Sequence, residues 1–176
     1  MYTENIKKLS GSEIAQVIAL EHHVHDKMLD KNMFIIDTPE KFLSRYASGR
    51  VTVLGCFVER FLIASLCYSK PSNGFGYSAF SRIPCEKDTM ITIGSCCVDE
   101  KYRGHGLQTA LLNEAERLIR LEMPKRRHMF TIAHPDNTPS YKSLVKCGFT
   151  EINAWEDCPI DGMSGLKRIL FYKSIQ

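Results

Sequence analysis

The chain has 176 residues, of which 44% are hydrophobic and 24% are charged, and these fractions are typical of a globular protein. They exclude a disordered chain, a collagen and a coiled coil, and the length favours a single domain over residues 1–176. The net charge of +3 is too small to indicate a nucleic-acid or membrane partner, and no apolar run reaches the length of a membrane helix.

The first half of the chain is predicted to contain two helices and an antiparallel pair of strands. Apolar residues at helical spacing predict a helix over residues 12–29, and Thr38 begins a second, shorter helix. Two strands are predicted over residues 51–57 and 61–68, and a loop containing several Pro and Gly residues follows over 70–88.

The second half alternates strands with helices and ends in a hairpin. The strands are expected at residues 89–98, 129–133, 149–155 and 166–173, and the helices at residues 107–119 and 138–147. An antiparallel beginning, a central strand–helix–strand–helix segment and a closing hairpin predict an α+β fold whose sheet has at least one parallel pair.

Side chains that could bind metal are numerous but lack metal-site spacing. Seven cysteines are present, with no C-x-x-C pair and an odd count: Cys56, Cys67, Cys85, Cys96, Cys97, Cys147 and Cys158. Most lie in apolar runs, so we expect reduced, buried thiols in a cytoplasmic protein. The cluster of His22, His23 and His25 falls on a predicted helix, where successive side chains point in different directions. We therefore expect no metal site.

A glycine-containing turn from Val98 to Gln108 is the most informative stretch. Gly104 and Gly106 permit positive φ angles and close approach of a ligand to the backbone. The first amides of the helix that follows have no partner within it and, with the helix dipole, suit a pyrophosphate. The turn is neither a Walker loop nor a dinucleotide fingerprint, because the Gly-Lys-Ser/Thr and the third glycine are absent. Alone, it would be only a tight turn before a helix.

This turn resembles the acetyl-CoA loop of the GNAT superfamily of N-acetyltransferases, Arg/Gln-x-x-Gly-x-Gly/Ala after a strand. The chain matches at Arg103 and Gly106 and departs at Gln108, where the family usually has Gly or Ala. A second family motif, Asn-x-x-Ser/Ala followed by Lys-x-Gly-Phe, is present at residues 137–140 and 146–149. Both motifs occur in the family's order, so the resemblance is specific over residues 89–155.

The resemblance implies the GNAT fold: a mixed, mostly antiparallel central sheet of six to seven strands, flanked by about four helices and splayed at a parallel strand pair. It also implies acetyl-CoA as co-substrate and no metal. Backbone groups of Cys96, Cys97 and Val98 would pair with the pantetheine arm, and the Val98 amide would polarise the thioester carbonyl.

The pyrophosphate would be bound by the loop and the first turn of the following helix. The implied residues are Arg103, Gly104, His105, Gly106, Leu107, Gln108 and Thr109. Asn137 and Ser140 would contact the pantetheine or a phosphate, although helix capping would equally account for them.

The implied reaction is attack of an amine on the thioester, which needs a base and is helped by an acid at the leaving thiolate. The family's strand glutamate is absent from residues 89–98, and its usual tyrosine is replaced by Leu144. We therefore consider His134 and Glu21 as bases and Tyr141 as the acid. His134 has a suitable ordinary pKa, but it could instead orient the turn that follows it.

The sequence as a whole predicts acetyl transfer from acetyl-CoA to a primary amine by a monomer or a homodimer. The acceptor is left open among a small amine, a lysine and a protein N-terminus. The missing family acid and base leave a second hypothesis, a non-catalytic acyl-CoA-binding module, and the glycine turn leaves a third, nucleotide binding.

Overall fold

The computed structural model of the chain describes residues 5–71, 83–160 and 163–175. One mixed sheet has the strand order β1-β2-β3-β4-β5-β7-β6. Its strands are β1 (Ile6–Lys8), β2 (Val51–Val58), β3 (Phe61–Ser69), β4 (Met90–Val98), β5 (His128–Ala133), β6 (Thr150–Trp155) and β7 (Arg168–Ser174). The α-helices in these residues are α1 (Glu13–Asp26), α2 (Pro39–Ala47), α3 (Leu107–Glu122) and α4 (Thr138–Lys146).

The sheet is antiparallel at every junction except the one between β4 and β5. These two strands run parallel and pair only over residues 90–92 of β4 and 128–130 of β5. Beyond Thr92 the strands separate, so the rest of β4 has no partner strand on that side in the part of the chain that the structure describes. The predicted α+β class, the mixed sheet and the splay at a parallel pair are confirmed.

The two faces of the sheet pack against different helices because side chains alternate along each strand. On one face, Leu66 and Ile91 pack with Leu111 and other apolar residues of α3. On the other face, Val53 and Cys67 pack with apolar residues of α1 and α2. A separate cluster that includes Phe130, Cys158, Ile160 and Leu170 lies farther along this second face.

Several boundaries differ from the sequence prediction. The helix predicted to reach residue 29 ends at Asp26, because the chain turns there into a short 3-10 helix, Lys31–Met33, whose cap Asp30 accepts a hydrogen bond from the Asn32 amide (2.9 Å). Strand β1 was missed, since three residues with mostly exposed side chains give no periodicity. Much of the loop predicted at 70–88 lies outside the described residues.

The closing hairpin was predicted, but its place in the sheet was not. Strands β6 and β7 pair antiparallel, and β7 lies between β5 and β6. The first residues of β7 are thereby brought next to the opening between β4 and β5. Among the described residues, no helix is long and apolar enough to cross a membrane.

Candidate active site

A cavity of about 240 Å³ opens where β4 and β5 separate. It reaches both faces of the sheet. On the α3/α4 face, the described lining includes Gln108, Leu112, Asn137, Ser140 and Leu144. On the α1/α2 face it includes Glu21, Phe34, Asp37, Arg45, Ile160, Met163 and Arg168. The cavity therefore connects the predicted acetyl-CoA loop with residues from the first half of the chain.

The free edge of β4 presents backbone groups to this opening. The Asp99 amide donates to the Ile63 carbonyl of β3 (2.9 Å), and successive amides along a strand point to opposite edges. The amides of Val98 and Cys96 must then point away from β3, toward the opening, whereas the Cys97 amide points toward β3. An extended ligand could pair with this edge as an added strand.

The glycine turn that follows β4 has the conformation that its sequence predicts. Gly104 and Gly106 have φ angles of 82° and 74°, in the left-handed region that favours glycine. Helix α3 begins at Leu107. Its N-cap residue is Gly106, which has no side chain to accept hydrogen bonds from the first amides of the helix. Arg103 is exposed, and its Nε donates to the Val98 carbonyl (3.3 Å). His105 and Thr109 lie on this turn and in the first turn of α3.

The second motif lies across the opening from this loop. Asn137 is the N-cap of α4, where its side-chain oxygen accepts from the Ser140 amide (3.2 Å). Gln108 donates from Nε2 to the Ser140 hydroxyl (3.1 Å) and so links the start of α3 to the start of α4. The motif asparagine therefore has a capping role in the structure, and all three side chains line the cavity.

Glu21 is a buried carboxylate on the opposite side of the opening. Its side chain is 3% exposed and accepts a hydrogen bond from the Ser95 hydroxyl of β4 (2.5 Å). Burial raises the pKa of Glu21 to about 7, and the Ser95 hydrogen bond opposes the rise. Such a pKa is suited to a general base that works near neutral pH.

The other two catalytic candidates are placed differently. His134 lines the cavity, but its Nδ1 accepts from the Asp136 amide (3.2 Å), so in the neutral ring the proton lies on Nε2. Its only basic nitrogen is therefore already used to hold the turn. The Tyr141 hydroxyl lies 3.4 Å from the Glu151 carboxylate and donates to it, and its ring packs edge-on against Phe171. Tyr141 is not among the described residues that line the cavity.

Sequence reasoning missed a group of charged residues on the α1/α2 face. Asp37 accepts from Lys41 (2.8 Å) and from Arg45, and despite burial these two cations lower the pKa of Asp37. Arg168, the first residue of β7, is 3% exposed and lines the same cavity. In the sequence, Arg168 is recognisable only as a charged residue at the start of a strand, on the same strand face as apolar Leu170. This pattern indicates a buried charge beside the cavity only once the order of strands in the sheet is known.

Metal chemistry has no candidate ligand set here. Within residues 5–71, 83–160 and 163–175, no group of three or more His, Cys, Asp or Glu side chains could hold a metal ion. Five of the seven cysteines are buried, and burial raises the pKa of the Cys67 thiol to about 12.

Solved structures share this architecture at low sequence identity. NAA60 from Arabidopsis thaliana in complex with acetyl-CoA is 16% identical, with a TM-score of 0.71 and 97% of each chain covered. Ribosomal-protein-alanine N-acetyltransferase from Brucella melitensis is 17% identical, with a TM-score of 0.70 and coverage of 97% of this chain and 99% of that one. An N-acetyltransferase from Staphylococcus aureus is 11% identical, with a TM-score of 0.73 and coverage of 97% and 98%. Identities this low show the fold alone.

The family assignment comes from the sequence itself. A search of curated proteins gave no significant match. The model of the acetyltransferase (GNAT) family matches residues 19–149, which include the second half of α1, the glycine turn and the Asn137 motif. Because this match covers most of the chain and both motifs, the chain belongs to the GNAT family of acetyltransferases, which take their acetyl group from acetyl-CoA.

Proposed function

We propose that this chain, as one acetyltransferase domain, transfers the acetyl group of acetyl-CoA to a primary amine with Glu21 as the general base. The observation that carries the proposal is the hydrogen bond between Glu21 and Ser95, because it ties a carboxylate with a pKa of about 7 to the open edge of β4. No other described carboxylate of the cavity combines this burial with a raised pKa.

The backbone supplies the binding geometry. The amides of Cys96 and Val98 face the opening, where they would pair with the pantetheine arm and hold the thioester against β4. The Val98 amide would donate to the thioester oxygen as negative charge develops on it. The amides at the start of α3 and the turn at Gly104 and Gly106 would hold the pyrophosphate.

Glu21 would perform the proton transfer. An amine with an ordinary lysine-like pKa is mostly protonated at neutral pH and cannot attack until it loses a proton. Ionised Glu21 would accept that proton from the acceptor on the α1/α2 side of the opening, and the new amide bond forms as the thioester carbon–sulfur bond breaks. The thiolate leaves with a pKa of about 8.5, so solvent can protonate it without a dedicated acid.

A Glu21→Gln variant tests this assignment. It keeps the shape and a hydrogen bond to Ser95 but cannot accept the proton, so we expect kcat to fall by about 10²–10⁴-fold. In the wild type, kcat/KM should rise with pH through about 7, and the variant should lose this rise. The measurement is free-thiol release with an amine panel, together with calorimetry of acetyl-CoA binding, which should change less than about twofold.

Two further variants control this experiment. Glu114→Gln removes a carboxylate of α3 that pairs with Arg117 outside the cavity, and it should leave kcat unchanged. His134→Gln should change kcat little, because it removes only a basic nitrogen that the Asp136 amide already occupies, and the Gln oxygen can still accept from that amide. If His134→Gln abolishes the pH dependence and Glu21→Gln does not, His134 is the base. Acetyl-CoA binding without turnover of any amine would instead support the acyl-CoA-binding module.

A further inference from the structure

Arg168 is a buried cation whose partners are neutral. Its Nη1 donates to the Lys167 carbonyl (2.6 Å) and its Nη2 to the Asn32 carbonyl (2.8 Å). No carboxylate of the described residues forms an ion pair with it, and burial lowers its pKa although Cys158 and Asp30 act in the opposite direction. A guanidinium has five N–H groups, and these two carbonyls occupy only two of them. A buried charge without an opposite charge in contact with it is costly unless a ligand supplies one.

The surroundings of Arg168 carry excess positive charge. Lys41 and Arg45 line the same cavity and share a single carboxylate, Asp37. The remaining described carboxylate of the lining is Glu21, whose pKa of about 7 leaves it only partly ionised near neutral pH. Within the described lining, three cations therefore face at most two carboxylates, and Asp30 acts on Arg168 only from outside the lining. This side of the cavity thus favours a ligand with negative charge.

Arg168 also lies on the acceptor side of the opening. Its strand neighbour Leu170 belongs to the apolar cluster of the α1/α2 face, and Asn32 belongs to the connection between α1 and α2. The acetyl-CoA loop lies on the other face, so a ligand group that reaches Arg168 belongs to the acceptor. Apolar Phe34, Ile160 and Met163 form much of the remaining wall and leave room for a small molecule.

Resting on the proposed function, we propose that the acceptor is a small amine that also carries a carboxylate, as in an amino acid, and that Arg168 binds this carboxylate. The planar guanidinium fits a carboxylate in a two-pronged arrangement. The amine would then lie toward Glu21, which lines the same cavity from the side of β4. A protein N-terminus offers a neutral peptide group in place of this carboxylate, and a polyamine would add positive charge to a region that already has an excess.

Matched acceptors test the proposal in the unmodified enzyme. Free amino acids that differ in side chain and in amine-to-carboxylate spacing are each compared with their carboxamides, and kcat/KM is measured by free-thiol release. We expect at least one acid to exceed its amide by about tenfold or more, since a hydrogen-bonded charge contributes at least this much to binding. Amides that react as well as all the acids would overturn the proposal.

Arg168→Gln tests the assignment of the binding residue. We expect the acid-to-amide ratio to fall from about tenfold or more to about one, while the thermal midpoint and the acetyl-CoA affinity report on folding. Lys167→Gln is the matched control, because it removes a neighbouring positive charge that is exposed and pairs with Glu156. It should keep the ratio of the wild type. If Arg168→Gln slows acid and amide equally, Arg168 only anchors the Asn32 connection and the proposal is wrong.

The outcomes separate this inference from the proposed function. Acetylation of amines without any preference for a carboxylate would refute the acceptor class and leave the acetyltransferase assignment intact. Acetyl-CoA binding with no turnover of any acid or amide in the panel would also refute the acceptor class. Failure to bind acetyl-CoA would refute the proposed function itself.

Discussion

Burial of Glu21 couples the stability of the protein to pH. The folded protein holds the Glu21 proton more tightly than the unfolded chain, because its pKa is about 7 instead of 4.5. The contribution of this group to stability is therefore complete at pH values below the unfolded pKa. It is lost as the pH rises through about 7, where the folded protein must ionise a buried carboxylate.

A denaturation series checks this coupling. Between about pH 5 and about pH 8, the wild type should lose on the order of 2–3 kcal/mol of unfolding free energy from this one group. Glu21→Gln has no proton to lose, so its unfolding free energy should change less over the same range. The measurement is urea denaturation of both proteins at several pH values. Parallel pH profiles for the two proteins would show that Glu21 has an ordinary pKa.

The proposed general base, Glu21, illustrates what single residues in a sequence can and cannot reveal. His134 stood out because histidine is the most common general base and this residue precedes a family motif. Glu21 was the less obvious candidate, since its partner Ser95 lies 74 residues away in the chain. Only the packing of α1 against β4 creates the burial that changes its pKa, and burial of one particular carboxylate cannot be computed from spacing.

At the scale of elements, the glycine turn and the start of α3 would act together as the proposed anion site. Gly106 precedes the helix with a φ of 74°, and a Cβ built there would meet no atom within 4 Å. The position is thus open to a ligand but strained for any other residue. The capped starts of α2 and α4 differ, since Thr38 and Asn137 use their side chains to satisfy helix amides.

Gly106→Val should weaken acetyl-CoA binding at least about tenfold, or about 1.4 kcal/mol, because the side chain would project where the pyrophosphate approaches the backbone. The left-handed φ adds a folding cost of about 1–2 kcal/mol. Gly49→Val carries a similar strain, at a φ of 67° with no atom within 4 Å, but lies after α2 and away from the loop. Calorimetry should show unchanged affinity for this control. Equal acetyl-CoA affinities of the Gly106→Val and Gly49→Val variants would show that the phosphate does not approach Gly106.

The sheet as a whole is divided at the β4–β5 junction. Strands β1 to β4 form one antiparallel part, β5 to β7 form another, and only three register pairs join them. Helix α3 and the residues of the larger apolar cluster span both parts on one face. A ligand that pairs with the free edge of β4 would add contacts between the two parts.

Amide hydrogen exchange can detect this pairing. The Cys96 and Val98 amides face the opening, so acetyl-CoA should slow their exchange markedly. The Cys97 and Asp99 amides point toward β3 and should be protected with and without the ligand, which makes them the internal control. The experiment compares exchange rates with and without acetyl-CoA by nuclear magnetic resonance. Protection of all four amides in the free protein would mean that the β4 edge is already paired.

The sequence by itself determined most of the elements and predicted the acetyl-CoA half of the proposed site. Helical and strand periodicity are local, and the loop motif from Arg103 to Gln108 is contiguous, so both are visible along the chain. Strand β1 was the exception, because three residues carry too little pattern. The position of β7 between β5 and β6 was also not predictable. A hairpin motif shows that β6 and β7 pair with each other, but it does not show which of the two strands pairs with β5.

Only the tertiary structure brought together the residues of the proposed acceptor half. Glu21, Asp37, Arg45 and Arg168 come from separate elements, and no spacing in the sequence relates them. The order of strands places Arg168 beside the opening, and the packing of α1 against β4 places Glu21 in the lining of the same cavity. The chemistry of that half depends on which charges are buried together, and burial is a property of the assembled sheet and helices.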